Sequence, residues 1–135
     1  MKLLTRHTDY AVRVLNYFAL HSDETVSVAG LVKVLKIPRP FLRKITQVLN
    51  RKGILRSYKG KGGGFMLSAD PGGIYLADLI EIFQGPFILN ECIFKKRACP
   101  NQVACVLHRK IRTIEKRVAG ELEAINIASL VRKGG

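Results

Sequence analysis

The stretch Pro38-Arg39-Pro40-Phe41-Leu42-Arg43-Lys44-Ile45-Thr46-Gln47-Val48-Leu49-Asn50-Arg51-Lys52-Gly53 decides how this chain reads. Two prolines break the chain and then open a helix, because the fixed φ of proline suits a first helical turn. Glycine after about Lys52 closes it, since it takes the left-handed conformation that ends helices. Phe41, Leu42, Ile45, Val48 and Leu49 form one apolar stripe. Arg39, Arg43, Lys44, Gln47, Asn50 and Arg51 fall mostly opposite. One face is made to pack on a core; the other is basic and carries amides.

The neighbouring segments complete a unit. Upstream, Ala11, Val14, Leu15, Phe18 and Ala19 recur at i, i+3, i+4, i+7 and i+8, which predicts an amphipathic helix over about residues 8–22, with Arg6 and Arg13 flanking its polar side. His21 to Glu24 reads as a turn, and Ser27 as the N-cap of a short helix carrying Val28, Leu31, Val32 and Leu35. Downstream, Ile54 to Lys59 and Phe65 to Ser68 flank Gly60-Lys61-Gly62-Gly63-Gly64, a hairpin around a glycine-rich turn. Helix, short helix, basic helix and hairpin predict a winged helix-turn-helix. The fold class is therefore mainly α with a small β-hairpin.

Charge is concentrated on this unit. The chain has 135 residues, 47% of them hydrophobic, which is enough for a core. Its formal net charge is +13. No acidic residue lies between Glu24 and Asp70, while ten Lys and Arg do, so ten of the thirteen surplus charges fall in 45 residues. Such a surplus calls for a polyanionic partner. A helix in the major groove reads base edges, and Lys or Arg beside it displace counterions from phosphates. The candidate DNA-binding residues are Arg39, Arg43, Lys44, Gln47 and Arg51 on the helix and Lys59 and Lys61 on the hairpin. Among them Arg43, Lys44 and Gln47 are the candidates for base contact, since Arg suits guanine and Gln adenine.

Beyond residue 73 a helix with Leu76, Leu79, Ile80 and Phe83 ends at Gln84-Gly85-Pro86. From about Cys105 to Ala124 a long helix carries Leu107, Ile111, Ile114, Val118, Leu122 and Ile125 at spacings of three and four. Lying after a domain that is already complete, this stripe predicts pairing with a second copy, a homodimer. The expected division is a DNA-binding domain at 1–85, a cysteine-containing sensor loop at 86–104, and a dimerisation helix with a tail at 105–135. Between the helices lie Cys92, Cys99 and Cys105, followed by His108. Three thiolates and an imidazole within 17 residues can hold zinc or an iron–sulfur cluster. The close C-x2-C pair usual in zinc knuckles is absent, and wider gaps suit a cluster.

Several classes are disfavoured. No apolar run reaches the ~20 residues of a membrane span, and Met1 to His7 lacks the apolar core of a secretory signal. With an odd number of cysteines, this points to the reducing cytoplasm and to metal or redox chemistry rather than disulfides. The glycine loop lacks the G-x-x-x-x-G-K-[ST] spacing of a nucleotide site. Neither paired carboxylates nor a Ser–His set suggests an enzyme. An RNA-binding protein would display aromatics for stacking, whereas Phe18, Phe41, Phe65 and Phe83 mostly fall on apolar stripes. On a membrane-surface protein the bases would lie opposite an exposed apolar face; here the basic face backs a core stripe.

Thr8-Asp9-Tyr10-Ala11, Ile37-Pro38, Leu49 to Gly53, Gly60-Lys61-Gly62-Gly63-Gly64-Phe65, the three spaced cysteines and the long last helix together resemble the bacterial winged-helix iron–sulfur transcriptional regulators of the IscR/NsrR type, nearly end to end. The resemblance implies a homodimeric regulator of transcription that binds double-stranded promoter DNA. It further implies a [2Fe–2S] or [4Fe–4S] cluster on Cys92, Cys99 and Cys105, sensing redox state, nitric oxide or iron supply. The fourth ligand would be His108, or alternatively Asp9 of the partner chain. Some members of the family bind no cluster and sense a small molecule or a partner protein.

Overall fold

The computed structural model describes residues 3–87 and 102–131, of which 102–105 as backbone only. Its first helix, α1 (Arg6–Leu20), starts two residues before the expected Thr8. The reason is Thr5, whose hydroxyl accepts the Thr8 N–H at 3.4 Å and bonds the Thr8 hydroxyl at 3.1 Å. That exchange also lets Thr8 be wholly buried beside Ala11, Val14, Leu15 and Phe18. α2 (Val28–Leu35) begins as expected on Ser27, whose Oγ accepts the Gly30 N–H at 3.1 Å. It ends at Lys36, with φ +59° the only non-glycine in the left-handed region among the described residues. Ile37, 2% exposed, then plugs the core, and Pro38 caps α3 (Arg39–Arg51). Three residues thus turn the chain from α2 into α3.

α3 closes with paired bonds from Gly53 N–H to Asn50 O and from Ile54 N–H to Leu49 O, both 3.0 Å. This is the Schellman arrangement that a glycine after a helix favours, and Gly53 takes φ +79°. The hairpin follows as β1 (Leu55–Tyr58) antiparallel to β2 (Gly64–Leu67), in register Leu55 with Leu67 and Tyr58 with Gly64. Val26, just before α2, bonds β2 from the other side: its N–H and C=O pair with Phe65 O and N–H, each at 2.8 Å. A 3-10 turn (Pro71–Gly73) leads to α4 (Leu76–Gln84), which stops at Gly85 as expected.

α5 (Gln102–Glu123) begins three residues earlier than Cys105. After it the sequence suggested only a tail. Instead α6 (Ile127–Val131) folds back onto α1, and Ile127 is wholly buried in the main core. A short backbone pairing carries it there: Leu76 N–H donates to Ile125 O at 2.8 Å and Ile127 N–H to Ile74 O at 2.9 Å. Asn126 caps α6, accepting the Ser129 N–H on Oδ1 at 2.8 Å.

The apolar stripe of α5 divides in two. Leu122, 6% exposed, packs with Leu76 and Ile80 of α4, joined by Val118 and Ile125. Toward the N-terminus Leu107 and Ile114 are 55% and 53% exposed. The architecture is a winged helix-turn-helix closed by α4 and α6, with Leu107 and Ile114 of α5 exposed among the described residues. Among the described residues no helix is long and apolar enough to cross a membrane.

Candidate nucleic-acid interface and sulfur ligands

The buried face of α3 is Leu42, Ile45, Thr46 and Leu49. Thr46 is wholly buried although polar, because its Oγ1 donates to Leu42 O at 2.8 Å inside the helix. With that face anchored, Arg39, Arg43, Lys44, Gln47 and Arg51 all stand exposed on the other. Lys59 and Lys61 are exposed at the hairpin tip. Among the described residues none of these six cations is within ion-pair distance of a carboxylate; the pairs found there are Arg13–Asp9 and His21–Glu24.

Helix and hairpin share one edge. Gln47, Asn50 and Arg51 from α3 and Ser57 and Phe65 from the strands line a shallow groove of about 330 Å³. The hairpin is held at that edge from below by the Val26–Phe65 bonds. At Gly64, φ is +150° and a Cβ would stand 2.5 Å from Val26 O, so only glycine permits this approach. A rod of 13 residues, about 20 Å long, with an adjoining basic loop has the dimensions to enter a groove ~12 Å wide and touch its walls.

The candidate sulfur ligands come from two parts of the chain. Cys92 and Cys99, with residues 88–101 of the expected sensor loop, lie outside the described residues. Cys105 is in the first turn of α5, and His108 follows at i+3, on a neighbouring position of the same helix face, partly exposed. Among the described residues no three His, Cys, Asp or Glu side chains converge as a metal site. Asp9, whose copy on a partner chain is the alternative candidate for the fourth ligand, is half-exposed near the start of α1 and engages Arg13 at 3.0 Å.

Sequence reasoning passed over three features here. Arg6 at the head of α1 lies over the ring of Phe41, its guanidinium carbon 6.0 Å from the centroid. Gln84 clamps the chain entering α1 through Thr5 N–H and Leu3 O, at 2.9 and 3.3 Å. The Val26 bridge ties the hairpin to α2. Only Arg6 left a signal, as a base flanking the polar side of the first helix; the other two join residues far apart in the chain.

Comparison with known proteins agrees with this geometry. The family model Rrf2, described as an iron-dependent transcriptional regulator, matches residues 4–133. The chain is 29% identical over 130 residues to the HTH-type transcriptional regulator IscR of Xenorhabdus nematophila, covering 96% of this chain and 79% of that protein. It is 28% identical over 131 residues to the HTH-type transcriptional regulator NsrR of Oceanobacillus iheyensis, covering 96% and 89%. In three dimensions it is similar to CymR of B. subtilis, titled the global cysteine regulator, with a TM-score of 0.79 over 98% of each chain at 20% identity. At that identity the likeness speaks for the fold.

Proposed function

The chain belongs to the Rrf2 family of transcriptional regulators, and from that premise we propose that it acts as a homodimer whose grip on promoter DNA is set by an iron–sulfur cluster. The family is one of regulators, not enzymes. The observation that carries the DNA half is the unpaired cationic edge: six exposed Lys and Arg on α3 and the hairpin, flanking Gln47, without a carboxylate partner among the described residues. In this reading α3 enters the major groove, Arg43, Lys44 and Gln47 meet base edges, and Arg39, Arg51, Lys59 and Lys61 meet phosphates. The exposed half of the α5 stripe pairs with its copy. Two reader helices then address half-sites about 34–36 Å apart, or a multiple of that.

The donor set fits a cluster in its chemistry: three thiolates with either His108 or Asp9 of the partner chain as the fourth ligand. Such a centre, when bound, supplies a group that oxidants, nitric oxide or iron shortage can alter or remove. Cys92 and Cys99 lie in the chain between α4 and α5, and Cys105 in the first turn of α5. Holding the three together fixes where α5 leaves the DNA-binding unit, and through α5 the angle between the two reader helices. A coupling of about 1–3 kcal/mol, or 5–150-fold in affinity, is the ordinary scale for such linkage. The work is done in the cytoplasm, where promoter DNA is found.

The test is an absorption spectrum with iron and sulfide content on protein prepared without air, followed by promoter binding of Cys92→Ala, Cys99→Ala and Cys105→Ala variants with and without oxidant. Coloured protein and variants that lose the oxidant response support the reading. A colourless, zinc-loaded protein, or cysteine variants indistinguishable from the parent, favours instead a regulator of the same fold that senses a small molecule or a partner. Competition between duplex DNA and single-stranded RNA separates both from an RNA-binding protein.

A further inference from the structure

We propose that Arg6 is a phosphate contact for duplex DNA, held beside the reader helix by the ring of Phe41. The proposal rests on the DNA-binding reading above and adds a second element, α1, to the gripping surface.

The placement begins with Phe41. It sits on α3 one turn before the exposed Lys44, its i+3 neighbour on the helix surface, and its partly buried ring meets α1. Tyr10 meets it edge-on at 5.4 Å between centroids, and the His7 ring lies 5.3 Å away. Over the same ring lies the Arg6 guanidinium, 6.0 Å from the centroid. A flat cation on an aromatic face keeps its stem packed and its N–H edges free for a planar or tetrahedral anion. The backbone under it is fixed as well: Thr5, one residue earlier, caps α1 with its hydroxyl and is gripped through its N–H by Gln84. Arg6 is therefore an exposed side chain with a restrained base, beside the flank of α3 that carries Lys44.

Its charge serves nothing inside the described structure. The first residue of a helix lies at the positive end of the helix dipole, where a cation is disfavoured. The one carboxylate in that turn, Asp9, is taken by Arg13 at 3.0 Å. Among the described residues no carboxylate lies within ion-pair distance of Arg6. A base held in that position is compensated by an anion from outside the chain. The adjoining flank of α3 carries Lys44 and continues into the exposed Gln47 and Arg51, which makes a nucleic-acid backbone the anion of matching extent. A contact from the flank of the reader helix, rather than its groove-facing side, meets phosphate and not base. Its contribution is accordingly the same for every sequence.

The experiment measures binding of the full chain to a random-sequence duplex about 30 base pairs long, by fluorescence anisotropy from 50 to 200 mM salt. Arg6→Ala and Arg6→Gln are each expected to weaken binding several-fold and to lower the slope of log affinity against log salt by about 1. Arg6→Lys is expected to keep the parental slope. Arg6→Gln retains part of the stem and a flat amide over Phe41, and thermal melts of each variant show that the comparison is between folded proteins. Arg117→Ala, an exposed position on α5, is the control for charge lost elsewhere. Parental slopes for both Arg6→Ala and Arg6→Gln overturn the proposal, as does an Arg117→Ala effect of equal size. If the parent itself shows no salt-dependent duplex binding, it is the DNA-binding reading that fails. If the parent binds and Arg43→Ala weakens it while Arg6 variants are silent, this proposal alone fails.

Discussion

The side-chain amide of Gln84 holds the backbone of Thr5 across 79 positions of sequence, accepting its N–H on Oε1 at 2.9 Å. The same amide donates to Leu3 O at 3.3 Å. Gln84 is the last residue of α4, directly before the chain departs toward the cysteines, and Thr5 is the cap of α1. One side chain thus joins the end of α4 to the start of the helix that packs beside α3. Replacing Gln84 by Ala should cost about 1 kcal/mol, the usual net value of a neutral hydrogen bond. Thermal unfolding would register this as a fall of roughly 3–5 °C. An unchanged melting temperature would mean that water replaces the clamp without loss.

Two glycines of the hairpin should respond differently to the same substitution. At Gly64 an added Cβ meets Val26 O at 2.5 Å, so Gly64→Ala must break the Val26–Phe65 bonds or shift the strand. At Gly62 nothing lies within 4 Å, and Gly62→Ala carries only the strain of φ +79°. The expected loss is about 1 kcal/mol for Gly62→Ala and clearly more for Gly64→Ala. Urea unfolding of the two variants ranks them; equal losses would contradict the account of the hairpin's anchor.

The two halves of the α5 stripe should separate association from folding. Leu107→Glu and Ile114→Glu, at exposed positions, are expected to leave the melting of the single chain nearly unaltered and to yield monomers in sedimentation equilibrium. Leu122→Ala, at a buried position against Leu76 and Ile80, should instead destabilise by about 2–4 kcal/mol, the cost of a core cavity. Dimers that survive both charged substitutions would remove α5 from the interface.

Within the cationic edge, base and phosphate contacts should differ in kind. Lys61→Ala is expected to weaken all duplexes alike and to reduce the salt slope by about 1. Arg43→Ala is expected to cost about 1–3 kcal/mol at one operator position and to relax the preference there. Binding sites selected from random duplexes by parent and variant proteins would show it; an identical preference would reassign Arg43 to phosphate.

What could be read from residues alone was whatever depends on neighbours along the chain. Ala11, Val14, Leu15 and Phe18 announce a helix face because a helix repeats every 3.6 residues, and all four are wholly buried. Ser27 and Gly53 mark helix ends because their roles are local: an oxygen within reach of Gly30 N–H, and a backbone free to take φ +79°. The basic character of α3 follows from residue identity on a known face. Misplaced or absent were features without local periodicity. α6 spans five residues, too few for a stripe to declare itself, and Ile127 is drawn into the core by pairing with Ile74, 53 positions earlier.

The sequence by itself determined the winged-helix order of elements and the side of α3 that carries charge, because periodicity, capping and residue chemistry act over a few neighbouring residues. Only the tertiary structure decided that Arg6 lies on Phe41, that Gln84 clamps Thr5, that Val26 secures the hairpin, and that one apolar stripe on α5 is half core and half open surface. Each of these depends on which distant segments come within a few ångströms, and that is set by how the whole core packs rather than by any local pattern.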